Sequence, residues 1–146
     1  MTRRRLVLLT LSFASVVAIG RFGYWAVAEN RFTTVTEHQL YQSGQMPPDQ
    51  LLRVANKHGI RTVIDLRTSE QADEIEEERV ALADSDLKYI HLPMLHDPTE
   101  ETVMKFLEIV GDPANRPVLV HCHHGTGRSP LLASIFRIEF ENWDNE

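Results

Sequence analysis

The sequence predicts an α/β domain with a central, mostly parallel sheet flanked by helices. Three observations carry this. Beyond residue 31, short β-branched and apolar runs alternate with helical stretches along the chain. Two of the runs, "TVIDL" and "PVLVH", are apolar with little alternation, as in strands covered on both faces. The helical stretches carry start and stop residues that delimit them, and no internal repeat or low-complexity linker interrupts the series.

The elements follow in order. "RFTTVTEHQLYQSGQM" is rich in β-branched and aromatic residues and reads as one or two short strands. "PPDQLLRVANKHG" opens on Pro47 and Pro48, carries Leu51, Leu52, Val54 and Ala55, and stops at Gly59, so it reads as a helix. "IRTVIDL" is a buried strand. "SEQADEIEEERVALADSD" is a charged helix with Ser69 as candidate N-cap and a sparse apolar set, Ala72, Ile75, Val80, Ala81 and Ala83. Its acidic run Glu76–Glu78 reads as a solvated face. "LKYIHLPM" is a strand ended by Pro93. "DPTEETVMKFLEIVGDP" has Thr99 as cap, a stripe of Val103, Phe106, Leu107 and Val110, and Gly111 as stop. "RPVLVH" is the most apolar strand, and "SPLLASIFRIEFENW" is helical.

Residues 1–28 stand apart. Arg3, Arg4 and Arg5 precede an uncharged run from Leu6 to Gly20, then Arg21, then "FGYWAVA". The run has the length of a signal-peptide core, and Ala26 and Ala28 form an A-x-A-like site before Glu29. The alternative is an uncleaved anchor extending to Ala28, with Tyr24 and Trp25 as interfacial residues; the position of Arg21 favours it. Either reading places Glu29 onward across the membrane, in an exported protein that is membrane-anchored or periplasmic. The domain that remains, residues 29–146, has 11 basic residues against 21 acidic ones. Such a balance argues against nucleic acid or an anionic membrane surface as partner, while a small anion answers to the local field of a pocket. The single cysteine makes no internal disulfide.

That cysteine lies in "VLVHCHHGTGRSP", at the carboxyl end of a strand and before a helix, where open α/β sheets bind ligands. On position alone a cysteine there is more often a small buried hydrophobe. His121, Cys122, His123 and His124 are consecutive, whereas structural zinc sites space their ligands so that they converge; no metal is expected. Gly125 and Gly127 let the backbone curl with its N–H groups inward, an amide nest that binds a tetrahedral oxyanion and lowers a thiol pKa. Arg128 can close over the anion with a planar fork, and Pro130 suits a first helical turn. Thiolate, amides and guanidinium together suit attack on phosphorus.

"HCHHGTGRS" resembles the His-Cys-x5-Arg-Ser/Thr signature of the cysteine-dependent protein tyrosine and dual-specificity phosphatases. "LYQSGQMPPDQLLRVANKHGIRTVIDLR" resembles the entry to their compact branch in bacteria, plants and fungi. The likeness runs from about Phe32 to Trp143. It implies a phosphatase-type anion loop between strand and helix, and hydrolysis of phosphate monoesters through a cysteinyl-phosphate, without cofactor. By this resemblance Cys122 is the nucleophile, and Arg128 binds phosphate and stabilises the transition state. Ser129 bonds the sulfur, and His121 orients the loop and helps depress the thiol pKa. His123, His124, Gly125, Thr126 and Gly127 bring backbone amides. Asp97, in "LPMLHDPTEE", is the general acid, with His96, Glu100 and Glu101 as rivals.

Two departures from the family stand out. Relatives usually continue past the last helix with at least one more, whereas this chain ends in "ENWDNE", so the expectation is a core less fully covered and a domain shortened there. Gln42 stands where relatives often have arginine. Arg67 is expected in a structural ion pair near the site. A phosphate-binding module without turnover is the competing reading. A thiol sulfurtransferase or arsenate reductase is a third, weakened by the lack of a second cysteine. With histidines in the loop and an acidic domain, the expected substrate is a phosphotyrosine protein or a small monoester rather than a polyphosphate.

Overall fold

The computed structural model describes residues 3–144. Its elements are α1 (Arg3–Val27), β1 (Thr33–Thr36), β2 (Leu40–Ser43), α2 (Pro48–His58), β3 (Thr62–Asp65), α3 (Ala72–Leu82), β4 (Lys88–His91), α4 (Glu100–Gly111), β5 (Val118–His121) and α5 (Arg128–Glu141). The five strands form one sheet in the order β1-β2-β5-β3-β4. Only β1 is antiparallel to its neighbour; β2, β5, β3 and β4 run parallel. The predicted fold class holds.

Each element has a local cause. Pro48 stands in the first turn of α2, where its missing N–H costs nothing, and Gly59 ends the helix at φ 65°. Thr99 Oγ1 accepts the Thr102 N–H to cap α4. Ser69 does not cap α3. It begins a 3-10 turn over Ser69–Gln71 that leads into the helix, and neither start has a side-chain cap.

The sheet is covered on both faces. Leu40, Ile64, Val118 and Val120 pack on one side with Phe106 and Val110 of α4 and Leu132 and Phe136 of α5. Tyr41, Val63 and Leu119 pack on the other with Leu51 and Ala55 of α2 and Leu82 of α3. The alternation along β5, Val118 and Val120 to one side and Leu119 to the other, is the period-2 rule of a strand. Beyond it, α5 leaves Leu131, Ile138 and Phe140 partly open to solvent.

α1 is different. Arg21 breaks the apolar run in the sequence but not the helix, which is continuous to Val27. Val7–Val27 is long and apolar enough to cross a membrane, and none of its hydrophobic window is buried. At 1.5 Å per residue such a helix is roughly as long as a bilayer core is thick, about 30 Å.

The register sets up the site. Ser43 pairs with His121, His121 with Asp65, and Asp65 with His91. The residues just past these positions, including Gly44, Leu66, Leu92 and Cys122, therefore form one rim at the carboxyl ends of four parallel strands.

Candidate active site

Cys122 stands at the centre of that rim, past the end of β5, and is 2% exposed. Its Sγ accepts the Gly125 N–H at 3.2 Å and lies 3.4 Å from Ser129 Oγ. Burial works against ionisation of the thiol. The Ser129 hydroxyl, the Ser129 and Gly125 N–H groups and the Arg128 charge outweigh it, so the thiol pKa lies below its ordinary value.

The loop curls because Gly125 adopts φ +69°. A Cβ there would lie 2.4 Å from the Gly44 nitrogen and 2.8 Å from its Cα. Gly44 is equally confined, since a Cβ on it would meet the His124 carbonyl at 3.1 Å. Two glycines, one at the end of β2 and one in the loop, thus allow backbone to press on backbone. The neighbouring Gln45 N–H donates to His123 O at 3.1 Å, and Ser129 Oγ donates to Ser43 O at 3.0 Å. The end of β2 backs the loop, a role the sequence did not reveal.

Arg128 opens α5. Its Nη1 donates to Leu66 O at 3.0 Å and to Met94 O at 3.2 Å. These carbonyls lie just past β3 and β4, so one guanidinium ties three strand ends together. Asp97 lies three residues beyond Met94, exposed on the same loop. His96, Glu100 and Glu101 are also exposed, and Glu101 Oε1 is taken by Lys105 Nζ at 2.7 Å. Among the loop residues, Thr126, Gly127 and His124 are exposed and His123 is half-buried. His123 Nδ1 meets Gln45 Oε1 at 3.0 Å; burial first, then the neighbouring His124, depress its pKa.

His121 lies on the other face of β5 from the thiol. Its Nε2 is 2.9 Å from Glu78 Oε1, so Nε2 carries a hydrogen. The same nitrogen lies 3.9 Å from Asp65 Oδ1. Arg67 lies beside it, fully buried. Its Nε and Nη2 donate to Asp65 Oδ1 and Oδ2 at 2.9 and 2.8 Å, and Nη2 is 3.0 Å from Glu78 Oε2. The expected structural ion pair of Arg67 is therefore present. The expected solvated face is corrected at one position: Glu78 is 1% exposed, while Glu76 and Glu77 face solvent. Asp65, Glu78 and His121 have ligand atoms within 4.8 Å of one another. A metal ion does not suit them, because the Arg67 guanidinium already supplies the cation between the carboxylates. Tyr89 donates to Asp65 at 2.6 Å and completes the cluster.

Cys122 thus accepts a loop amide, with Arg128 after five intervening residues and Asp97 on the adjoining loop. A family model described as "DSP-PTPase phosphatase fused to NAD+ Kinase" matches residues 11–145. The chain belongs to this dual-specificity phosphatase family. A protein of Mycosarcoma maydis provisionally named tyrosine-protein phosphatase OCA1 is 33% identical over 117 residues, covering 75% of this chain and 70% of that one. Dual specificity protein phosphatase TpbA of Pseudomonas aeruginosa is 25% identical over 109 residues, covering 73% of this chain but only 46% of TpbA. The crystal structure of TpbA superposes with a TM-score of 0.64 at 22% identity, covering 80% of this chain and 68% of that one. The catalytic core of the S. cerevisiae PP-IP phosphatase SIW14 does so at 0.61 and 23%, covering 77% and 67%. These structures share the dual-specificity phosphatase fold.

Proposed function

We propose that residues 29–146 form a phosphatase domain that hydrolyses phosphate monoesters through a cysteinyl-phosphate. The observation that carries this is the thiol of Cys122, buried and lowered in pKa by the Gly125 and Ser129 donors beside Arg128. The Cys122 thiolate attacks phosphorus and the P–O ester bond breaks. Asp97 protonates the departing oxygen. Water then attacks, giving its proton to the Asp97 carboxylate, and the S–P bond breaks to return the thiolate and release phosphate. The loop amides of residues 123–127 hold the oxyanion. Arg128 spends Nη1 on two carbonyls, which leaves Nε and Nη2 as its fork for phosphate. Ser129 donates to the sulfur when it leaves.

The substrate we favour is phosphotyrosine or a small aryl monoester. A mostly apolar groove of about 570 Å³, lined by Ala72, Ile75, Pro93 and Leu95 together with Thr68, Ser69, Glu76 and His91, adjoins the two loops that Arg128 ties together and suits an aromatic group. A second cleft, of about 410 Å³, is lined by His123 and Arg67 with three carboxylates, Glu74, Glu77 and Glu78, and this acidic excess disfavours a polyphosphate. A TpbA variant has been solved in complex with pTyr, which supports the same choice. α1 would hold the domain at a membrane as an uncleaved anchor.

The test is turnover of p-nitrophenyl phosphate in EDTA by the full chain in mild detergent. Cys122→Ser should abolish it. Asp97→Asn should lower kcat by about 10²-fold or more on phosphotyrosine, and by less on p-nitrophenyl phosphate, whose leaving group needs little protonation. Undiminished turnover by the Cys122 variant ends the proposal.

A further inference from the structure

The segment between α1 and β1 is tied to the anion loop, although nothing in its composition points there. Asn30 and Arg31 both have left-handed backbone, φ 48° and 55°. Two consecutive non-glycine residues in that region are uncommon and costly, and persist only where the surroundings impose them. The surroundings are specific. Asn30 O accepts the Gly44 N–H at 2.8 Å, and Asn30 Nδ2 reaches Gln50 Oε1 at 3.0 Å. Arg31, half-buried, donates from Nη1 to His124 O at 3.0 Å, across 93 residues of chain.

The carbonyl that Arg31 holds is one end of a single peptide unit. In a trans peptide the C=O and the N–H of the same plane point in opposite directions. The His124 C=O points outward to Arg31, and the Gly125 N–H of that plane points inward to Cys122 Sγ at 3.2 Å. Gly44 packs against the same unit, which prevents it from rolling toward β2.

We infer that Arg31 is a positioning residue of the catalytic loop: its guanidinium fixes and polarises the His124–Gly125 peptide so that the Gly125 N–H faces the Cys122 sulfur. The inference rests on Cys122 being the nucleophile. It has a structural corollary. Gln50 Nε2 also holds Ala28 O at 2.9 Å, and Trp25 Nε1 of α1 donates to Phe32 O at 3.0 Å. The end of the apolar helix and the loop around the thiol are thus joined through a few polar bonds, with Arg31 as the last of them.

The experiment uses the full chain and variants Arg31→Ala and Arg31→Lys, with Arg53→Ala as control; Arg53 makes an exposed pair with Asp49 on α2. The primary readout is the rate of Cys122 alkylation by iodoacetamide against pH, which needs no turnover. Arg31→Ala should move the midpoint of that profile upward by about half a unit, because the thiolate loses an oriented donor. It should also lower kcat/KM for p-nitrophenyl phosphate by roughly tenfold, the scale of one hydrogen bond to a charged group. Arg31→Lys, which keeps a cationic donor, should recover most of both, and Arg53→Ala should change neither. A folded Arg31→Ala variant with the wild-type alkylation profile overturns the inference. Should that variant lose its fold, Arg31→Gln replaces it under the same two outcomes. A wild-type chain that alkylates with a depressed midpoint but turns over no phosphate ester defeats the functional reading, and leaves the alkylation comparison to decide the role of Arg31.

Discussion

Two glutamates two positions apart in α3 should behave as if they belonged to different proteins. Glu78 is buried and gives Oε1 to His121 at 2.9 Å and Oε2 to Arg67 at 3.0 Å. Glu76 makes a shorter contact, 2.6 Å to Arg79, but both partners are 58% exposed. Distance alone would rank Glu76 higher; burial reverses the order. Removing Glu78 leaves a buried guanidinium and a buried imidazole each short of one partner. One bond to the imidazole and one close charge contact with Arg67 are lost, together about 3 kcal/mol. Arg67 keeps its two-pronged grip on Asp65, which holds the loss at the low end of the roughly 3–5 kcal/mol typical of a broken buried pair. Glu76→Ala should leave the midpoint close to wild type, because solvent screens an exposed pair and ordering two long side chains offsets what remains. The assay is urea unfolding of the full chain in mild detergent, followed by tryptophan fluorescence, for Glu78→Ala, Glu76→Ala and wild type. With a total stability of about 5–15 kcal/mol, a loss near 3 kcal/mol is a large shift in midpoint. Equal midpoints for the two variants would refute the view that the Asp65–Arg67–Glu78–His121 cluster braces the loop from below.

Three more outcomes follow from the same geometry. Gly125→Ala should fold poorly or lose about 10²-fold in kcat/KM, since φ +69° is strained for alanine and the new methyl would meet the Gly44 backbone at 2.4 Å; circular dichroism and p-nitrophenyl phosphate kinetics check it. The Cys122 pKa is depressed, so kcat/KM should hold below the ordinary thiol range and fall only as pH drops through the lowered value; Ser129→Ala should move that limb upward, read from a pH–rate profile. Burial pushes the Asp65 carboxyl up, but Arg67, the nearby His121 and Tyr89 bring it down to about 2, from 3.8. A folded pKa below the unfolded one stabilises the fold above pH 3.8 and ceases to do so as pH falls toward 2. Asp65→Asn should therefore lose about 2 kcal/mol near neutral pH and flatten the acid side of a stability–pH curve.

The parts of the site that were legible in the sequence are those whose chemistry is local. A strand end, two glycines, an arginine and a proline within one short stretch specify an anion loop, because all the geometry lies between Val118 and Pro130. The alternation of strands and helices was legible for the same reason. What escaped depends on sequence-distant packing. Glu78 carries no mark that separates it from Glu76 and Glu77; it is buried because α3 turns that one position toward Arg67 and His121. Arg31 is one more arginine before a strand until β2 and the loop are adjacent. His121 was expected to help depress the thiol pKa, but the period of the strand turns its ring away from Cys122 and toward Glu78.

The same distinction explains why β2 matters. An amide nest turns N–H groups inward, so the carbonyls of the same peptides must face outward and find donors of their own. Gln45 N–H takes His123 O, and Arg31 takes His124 O. Ser129 has one hydroxyl proton and two claimants, Ser43 O at 3.0 Å and Cys122 Sγ at 3.4 Å. While the thiol keeps its proton, it can donate to Ser129 Oγ and the hydroxyl can serve Ser43. Once the sulfur ionises it can only accept, and a hydroxyl that turns from the carbonyl to the thiolate adds a donor to the Gly125 N–H already there. Ionisation of the Cys122 thiol is thus coupled to the end of β2 through a single proton. The "QSG" stretch there, which at the level of sequence was only a point of family likeness, is the surface against which the loop is held and its charge is balanced.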